Sequence, residues 1–177
     1  MYSELEKHFE GNHKITLSSN IEDDEEVYHG YIVGLTRNFI CLWLVVDWHH
    51  DGFLVMPVKY ITGVRHGKYE KTYHRILKSE GCLTDVIKPN WLKIGSYKSA
   101  FKSLEANCNN VTIESRLPSV DEFVVGEIKN ITDKEVHLKG FDATAKWQDG
   151  VYKIPLKDIT TLKFGDEYSS VFRKYVA

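Results

Sequence analysis

The sequence predicts an α+β fold, mainly β, built from two tandem copies of one unit. Three observations predict it: a repeat that spans most of the chain, short apolar segments between turn residues, and amphipathic helical segments at both ends of each copy. With 177 residues, 42% of them hydrophobic, the chain is long enough for one ordinary domain or two small ones.

The repeat appears when segments nearly 100 residues apart are aligned. Residues 25–42 lie over 121–138, and after a loop of different length residues 51–67 lie over 149–165. Seven of the seventeen positions in the second pair are identical, and the apolar positions stay in phase. We therefore expect two copies of one structural module.

The repeat predicts the domain boundaries. We expect a first helix and small-barrel module at 1–79, a connector at 80–96 and a second module at 97–177. The connector contains Trp91 and several aliphatic residues, so we expect it to pack against the modules.

Helical spacing of apolar residues predicts a helix at the start and at the end of each module. The predicted helices cover residues 2–10 and 68–79 in the first module, and 97–107 and 166–176 in the second.

Five short strands are predicted in each module, which favours a small closed barrel. The predicted strands are residues 14–19, 26–36, 39–47, 53–57 and 61–65, and then 110–115, 123–130, 135–141, 151–155 and 159–164. The apolar run at 39–46 lacks alternation, so we expect both its faces to be covered, by the other module, a helix or another protein.

Charge and cysteine content narrow the class of protein. The net charge of −2 combines −6 over residues 1–30 with +6 over residues 65–102; such stretches either steer charged partners or only keep a surface solvated. The three cysteines are widely spaced, and we expect them to be reduced. The N-terminus lacks a signal-peptide pattern and the longest apolar run has eight residues, so we expect a cytoplasmic protein without a membrane span.

The helix, the five strands and the glycine of VVGEI (Gly126) resemble the Sm-like small barrel. RNA-binding Sm-like proteins carry an Asp and an Asn between the second and third strands; the corresponding residues 36–39 and 132–135 do not provide this pair. Residues 154–168 and their echo at 56–69 are similar to small uncharacterised bacterial proteins, which in turn resemble toxin-immunity proteins.

Catalytic motifs are missing from the sequence: it contains no GxGxxG, P-loop, GxSxG or HExxH pattern. We therefore expect no enzymatic activity and no cofactor. The segment DWHHD at 47–51 could ligate a metal, but strand alternation would place His49 and His50 on opposite faces. We expect an exposed hairpin loop there and no metal.

The leading hypothesis is a binding protein that neutralises a basic toxin domain, such as a nuclease, as an immunity protein does. Carboxylates on a loop can occupy a basic cleft and accelerate association, and aromatic side chains commonly anchor protein interfaces. The predicted partner-binding residues are Glu22, Asp23, Asp24, Glu25, Glu26, Trp48 and Asp51.

Two other functions remain open. The alternative is RNA or DNA binding, since four cations recur at helical spacing in the basic middle segment. The predicted nucleic-acid-binding residues are Lys68, Lys71, Arg75 and Lys78. A third hypothesis is a scaffold subunit that pairs its edge strands with neighbours. The oligomeric state is open.

Overall fold

Four helices and ten strands form the part of the chain that the computed structural model describes, residues 1–83, 86–108, 110–117 and 120–177. The first half contains α1 (Tyr2–Glu10), β1 (Lys14–Ile21), β2 (Asp24–Leu35), β3 (Phe39–Val46), β4 (His49–Pro57), a 3-10 turn (Val58–Tyr60), β5 (Ile61–Arg65) and α2 (Lys68–Ser79). The second half contains α3 (Tyr97–Glu105), β6 (Val111–Leu117), β7 (Val120–Ile131), β8 (Glu135–Gly140), β9 (Tyr152–Pro155), β10 (Thr161–Phe164) and α4 (Glu167–Arg173). The predicted α+β, mainly β class is confirmed.

All ten strands pair in one open antiparallel sheet, in the order β5-β1-β2-β3-β4-β10-β6-β7-β8-β9. In each half the fifth strand pairs with the first, β5 with β1 and β10 with β6. The fourth strand of the first half does not return to β5 but pairs with β10 of the second half. The two sets of five strands thus share one sheet, where the sequence predicts two separately closed barrels.

The two halves have the same strand register. Residues 96 positions apart occupy equivalent places up to the third strand, and residues 98 apart do so after it, as in the sequence alignment. The matching pairs are Ile15–Gly30 and Val111–Gly126, Ile32–Leu42 and Ile128–Leu138, and Thr16–Arg65 and Thr112–Lys163.

Glycine is required at the same place in both halves, where the second strand approaches the third. A Cβ on Gly30 would lie 2.1 Å from the carbonyl oxygen of Trp43, and one on Gly126 would lie 2.3 Å from that of Lys139. No side chain fits at such distances from backbone atoms. The glycines that align in the sequence therefore mark the same close contact of two strands.

Strand β3 is buried on both faces, which explains its unbroken apolar run. Alternate side chains enter two cores: Ile40, Leu42 and Leu44 pack with α1, and Cys41, Trp43 and Val45 pack in a larger core that contains side chains of both halves. Across the junction, the rings of Phe53 and Phe164 stack with centroids 5.0 Å apart. One face of β3 is therefore covered by the core that contains α1, and the other by the core that contains side chains of the second half.

Two of the described residues between 80 and 96 pack into the shared core. Leu83 and Ile94 are buried there, whereas Ile87 is exposed. No helix in the described ranges is both long enough and apolar enough to cross a bilayer.

Candidate functional site

One face of the sheet carries two neighbouring cavities between α2 and α4. The first, of about 360 Å³, lies at the junction of the two halves, and the second, of about 400 Å³, lies against α2. They share His29, Val45 and Val46 in their linings. We call them the junction cavity and the Lys14 cavity.

Strand register places side chains from both halves on this face. Thr16 pairs with His29 on one side and with Arg65 on the other, so these three side chains project from the same face of β5, β1 and β2. Thr112 and Lys163 occupy the equivalent positions in the second half and line the junction cavity.

The junction cavity has an exposed apolar rim, which we define as Val27, Val46, Phe123 and Tyr168. Val27 is 55% exposed and Phe123 is 63% exposed, although both belong to strands. Apolar side chains that cluster at a concave site, with polar groups around them, are typical of interaction surfaces. The rim combines residues of both halves, so it exists only in the folded protein.

The acidic hairpin, residues 22–26, connects β1 to β2 next to this rim. Glu22 and Asp23 form its turn with φ angles of 51° and 66°, and the Asn20 side chain accepts a hydrogen bond from the Asp23 N–H at 3.0 Å. Glu25 lies two residues before Val27 on β2, so both side chains project from the same face. The hairpin therefore places negative charge beside exposed apolar surface.

The five carboxylates of the acidic hairpin divide into two sets. Arg116 of β6 binds Asp24 at 3.1 Å and Glu26 at 2.6 Å, and it also binds Glu114 at 2.5 Å. In the described part of the chain, Glu22, Asp23 and Glu25 form no ion pair. Only three of the five predicted carboxylates are thus available to a partner without breaking an internal pair.

Trp48 and Asp51 have contacts within the chain. The Trp48 ring stacks on Tyr73 of α2, with centroids 4.7 Å apart and planes 10° apart, and remains about half exposed. The Asp51 carboxylate accepts a hydrogen bond from the backbone N–H of Glu167 at 2.8 Å, at the start of α4. Asp51 lines the junction cavity, and Trp48 borders the Tyr73 wall of the Lys14 cavity.

The four predicted nucleic-acid-binding cations share the exposed face of α2, while Glu70 and Leu77 on the same helix are buried. None of the four forms an ion pair with a carboxylate among the residues that the structure describes. Their charge is therefore available to an anionic partner.

The segment DWHHD is mostly strand rather than the predicted hairpin loop. Only Asp47 and Trp48 form the turn, because β4 begins at His49. His50 turns inward and stacks on Trp43 at 3.5 Å between centroids, whereas His49 is exposed and lies 3.9 Å from Glu167. The described residues contain no group of three or more side chains arranged to hold a metal ion.

The Lys14 cavity contains a polar network that the sequence analysis did not identify. Glu70 is 2% exposed; it accepts hydrogen bonds from the Thr16 hydroxyl and Arg65 Nε, both at 2.8 Å, and from the Gly67 N–H at 2.7 Å. Burial raises the Glu70 pKa, but these three donors outweigh it and hold the pKa at about 2. Residues this far apart in the chain carry no common local pattern that would reveal the network.

Comparisons with protein-family models, with curated proteins and with solved structures found no match.

Proposed function

We propose that this chain is a non-enzymatic binding protein that neutralises a basic protein domain, such as a nuclease toxin, in the manner of an immunity protein. The observation that carries the proposal is the position of Glu22, Asp23 and Glu25 beside the apolar rim. A basic partner would contact the carboxylates first and bury the rim as it docks.

Charge and apolar surface have different roles in such a complex. Carboxylates at the periphery raise the association rate, and their effect is reduced by salt. Exposed aromatic side chains near the centre of an interface contribute most of the binding free energy. Phe123 and Tyr168 are suited to the second role, because they are exposed and lie beside a cavity.

We further propose that each half is an Sm-like unit. The order of one helix and five strands in each half supports this, as does the close strand contact at Gly30 and Gly126. On this proposal, β4 of the first unit and the fifth strand of the second join two units through their edges, so that one chain contains an assembly contact.

The test uses two double variants that each remove two negative charges. E22Q/E25Q changes the unpaired carboxylates of the acidic hairpin. E6Q/E10Q changes exposed carboxylates of α1, whose Leu5 packs into the other core, on the opposite face of the sheet. Each protein is used to capture partners from its native host in low salt after nuclease treatment, and captured proteins are identified by mass spectrometry.

We expect a single stoichiometric basic protein with the wild type and with E6Q/E10Q, and a loss of capture with E22Q/E25Q. With the purified partner, E22Q/E25Q should associate about 10-fold more slowly in low salt and show a weaker salt dependence. Capture of the same proteins by all three forms, at equal rates, would remove the acidic hairpin from the interface.

Nucleic-acid binding is a second candidate, favoured by the four exposed cations on α2 that form no ion pair in the described residues. Its test is retention of mixed RNA in low salt by K71Q/R75Q and by a matched control, K153Q/K157Q, which removes two exposed cations from the second half. Loss of retention in the first variant alone would favour this candidate. No retention by the wild type would eliminate it.

A further inference from the structure

We propose that the Lys14 cavity binds the oxyanion group, carboxylate or phosphate, of a small molecule. This inference does not rest on the proposed function: the Lys14 cavity adjoins the junction cavity, but Lys14, Arg65 and Glu70, which carry the argument, line only the Lys14 cavity. It depends on Lys14, whose side chain is largely buried while its ammonium opens to the cavity and has no polar partner among the described residues.

Lys14 is 4% exposed, yet its ammonium has no ion-pair or hydrogen-bond partner within the described ranges. The Nζ atom lies 4.4 Å from the centre of the Tyr73 ring, on which Trp48 also stacks. A cation–π contact satisfies only part of the hydrogen-bonding capacity of an ammonium. The remaining donors of Lys14 are available to the cavity.

The neighbouring acid does not form an ion pair with Lys14 in the described part of the chain. Glu70 instead accepts hydrogen bonds from Thr16 and Arg65 at Oε1 and from the Gly67 N–H at Oε2. Arg65 is bound to Glu70 through Nε, and its Nη2 atom is 3.5 Å from the Thr16 hydroxyl. Arg65 is therefore held with its terminal nitrogens beside the cavity, where they can bind an oxyanion together with Lys14.

Among the charged groups that line the cavity, the positive charge of Lys14 is not balanced by a carboxylate in the cavity interior. Arg65 and Glu70 offset each other, and Asp47 is exposed in the turn at the rim without an ion pair to Lys14. His29 binds the Thr16 hydroxyl at 3.1 Å. Burial, followed by the charges of Lys14 and Arg65, lowers the pKa of His29, so its neutral ring adds a polar group and no charge.

The equivalent positions of the second half show that the fold does not need these groups. Asn110 takes the place of Lys14 and Val125 that of His29, and Ser169, the third residue of α4, takes that of Glu70, the third residue of α2. The same strand register is therefore stable with other side chains, and the polar set in the first half requires a separate explanation. A cavity of about 400 Å³ is within the size range of small-molecule sites. Tyr69 and Tyr73 line it and could contact the body of a ligand.

The experiment is calorimetric titration of the full chain in low salt with inorganic phosphate, phenyl phosphate and benzoate. The test variant is Lys14→Met, which keeps an unbranched side chain of slightly shorter length and removes the charge. The control is Lys153→Met, which removes an exposed cation of β9 that does not line the cavity. Thermal unfolding of both variants verifies that they are folded.

We expect at least one probe to bind the wild type and K153M equally, and K14M to bind it about 10-fold more weakly or worse. Preference for phenyl phosphate over benzoate would identify a phosphate site, and the reverse a carboxylate site. As a second measurement that needs no variant, saturating probe should slow acetylation of the Lys14 amine and leave that of Lys153 unchanged.

Three results would overturn the proposal: no binding of any probe, equal binding by K14M, or an equal loss of binding in K153M, which would show that only the overall charge matters. E22Q/E25Q should bind the probes as the wild type does, and K14M should capture the same protein partner. Failure of this inference is therefore distinguishable from failure of the proposed function.

Discussion

The two halves of the chain have the same element order and strand register but differ in the side chains on their shared outer face. In the first half, the cation of the fifth strand, Arg65, binds Glu70 of the following helix. In the second half the equivalent cation, Lys163, binds Glu114 of a neighbouring strand at 3.1 Å. In the first half this leaves Lys14 in a cavity without a polar partner among the described residues, and in the second half Glu114, Lys163 and Arg116 form a network.

This difference shows which positions the repeated fold constrains. The glycines at the close strand contacts are identical in both halves, and inward positions such as Ile15 and Val111 stay apolar, because other replacements would create clashes or cavities. Outward side chains differ freely, and the two candidate sites are composed of them. Four predictions test this distinction, in order of decreasing effect.

The largest effect is expected from Gly30→Ala and Gly126→Ala. In both, the added Cβ meets a backbone carbonyl oxygen, which cannot move away as a side chain can. We expect each to lower the free energy of unfolding by about 3 kcal/mol or more, measured by denaturant titration. The control, Gly63→Ala, places its Cβ 3.9 Å from the nearest atom and should cost less than about 1 kcal/mol. If G126A were well tolerated, the close strand contacts at Gly30 and Gly126 would not be equivalent.

Phe164→Ala tests whether the two halves share one core. Phe164 is 1% exposed and stacks on Phe53 across the junction, so its truncation should cost about 3–5 kcal/mol. We expect a single cooperative transition before and after the change. Phe123→Ala, on the exposed rim, should change stability by less than about 0.5 kcal/mol. Two separate transitions in the wild type would contradict a shared core.

Arg116→Met tests the ion-pair network of the second half. It leaves the buried Glu114 with one cation fewer and should cost about 2 kcal/mol at neutral pH. Burial raises the Glu114 pKa, but Lys163 and Arg116 lower it further than burial raises it. The carboxylate therefore contributes stability above its ordinary pKa of 4.5, and this contribution is lost as the pH falls below that value.

The cost of Arg116→Met should accordingly decrease in acid, as unfolding at a series of pH values will show. Lys98→Met, which removes the partner of the fully exposed Asp133, should have little effect at any pH. A cost for R116M that does not change with pH would show that it comes from packing alone.

The smallest effect is expected from the histidines, seven of which lie in the first half. His8 and His13 are joined through their Nδ1 atoms at 3.1 Å, and the His13 ring stacks on His66. Burial, followed by neighbouring histidines, lowers the pKa of His8 and His13 below the ordinary value of 6.5. The unfolded chain therefore binds protons first as the pH falls below 6.5, and the free energy of unfolding decreases.

H8Q/H13Q should make this decrease between pH 7 and pH 5 shallower. The measurement is denaturant unfolding at several pH values. Equal pH dependence in the wild type and the variant would show that the histidine cluster does not contribute.

The order and type of the elements follow from local pattern. The predicted bounds of α1 and α2 agree with the structure, since apolar spacing over a few turns determines which face of a helix is buried. The bounds of the turn at Asp47–Trp48 could not be predicted from the sequence. The polar residues after it predict a longer loop, but β4 begins at His49. There the stacking of His50 on Trp43 stabilises the strand.

The acidic hairpin shows which properties of the candidate site can be predicted from the sequence. Its position between the first two strands follows from turn residues, and so does its exposure. The sequence does not predict that Arg116 neutralises two of the five carboxylates. Its ion pairs with Asp24 and Glu26 join positions about 90 residues apart, where no local pattern indicates a contact. The same holds for the Lys14 cavity, whose residues come from β1, β2, β5 and α2.

The sequence by itself determined the repeat, the class of fold and the faces of the helices, because these depend on spacing along the chain. The tertiary structure alone decided that β4 pairs with β10, and hence which side chains meet across the junction. Unpaired strand edges are chemically alike, so the choice of edge depends on which arrangement buries the most apolar surface. Phe53 and Phe164 stack at that junction, and the apolar rim and both cavities lie beside it.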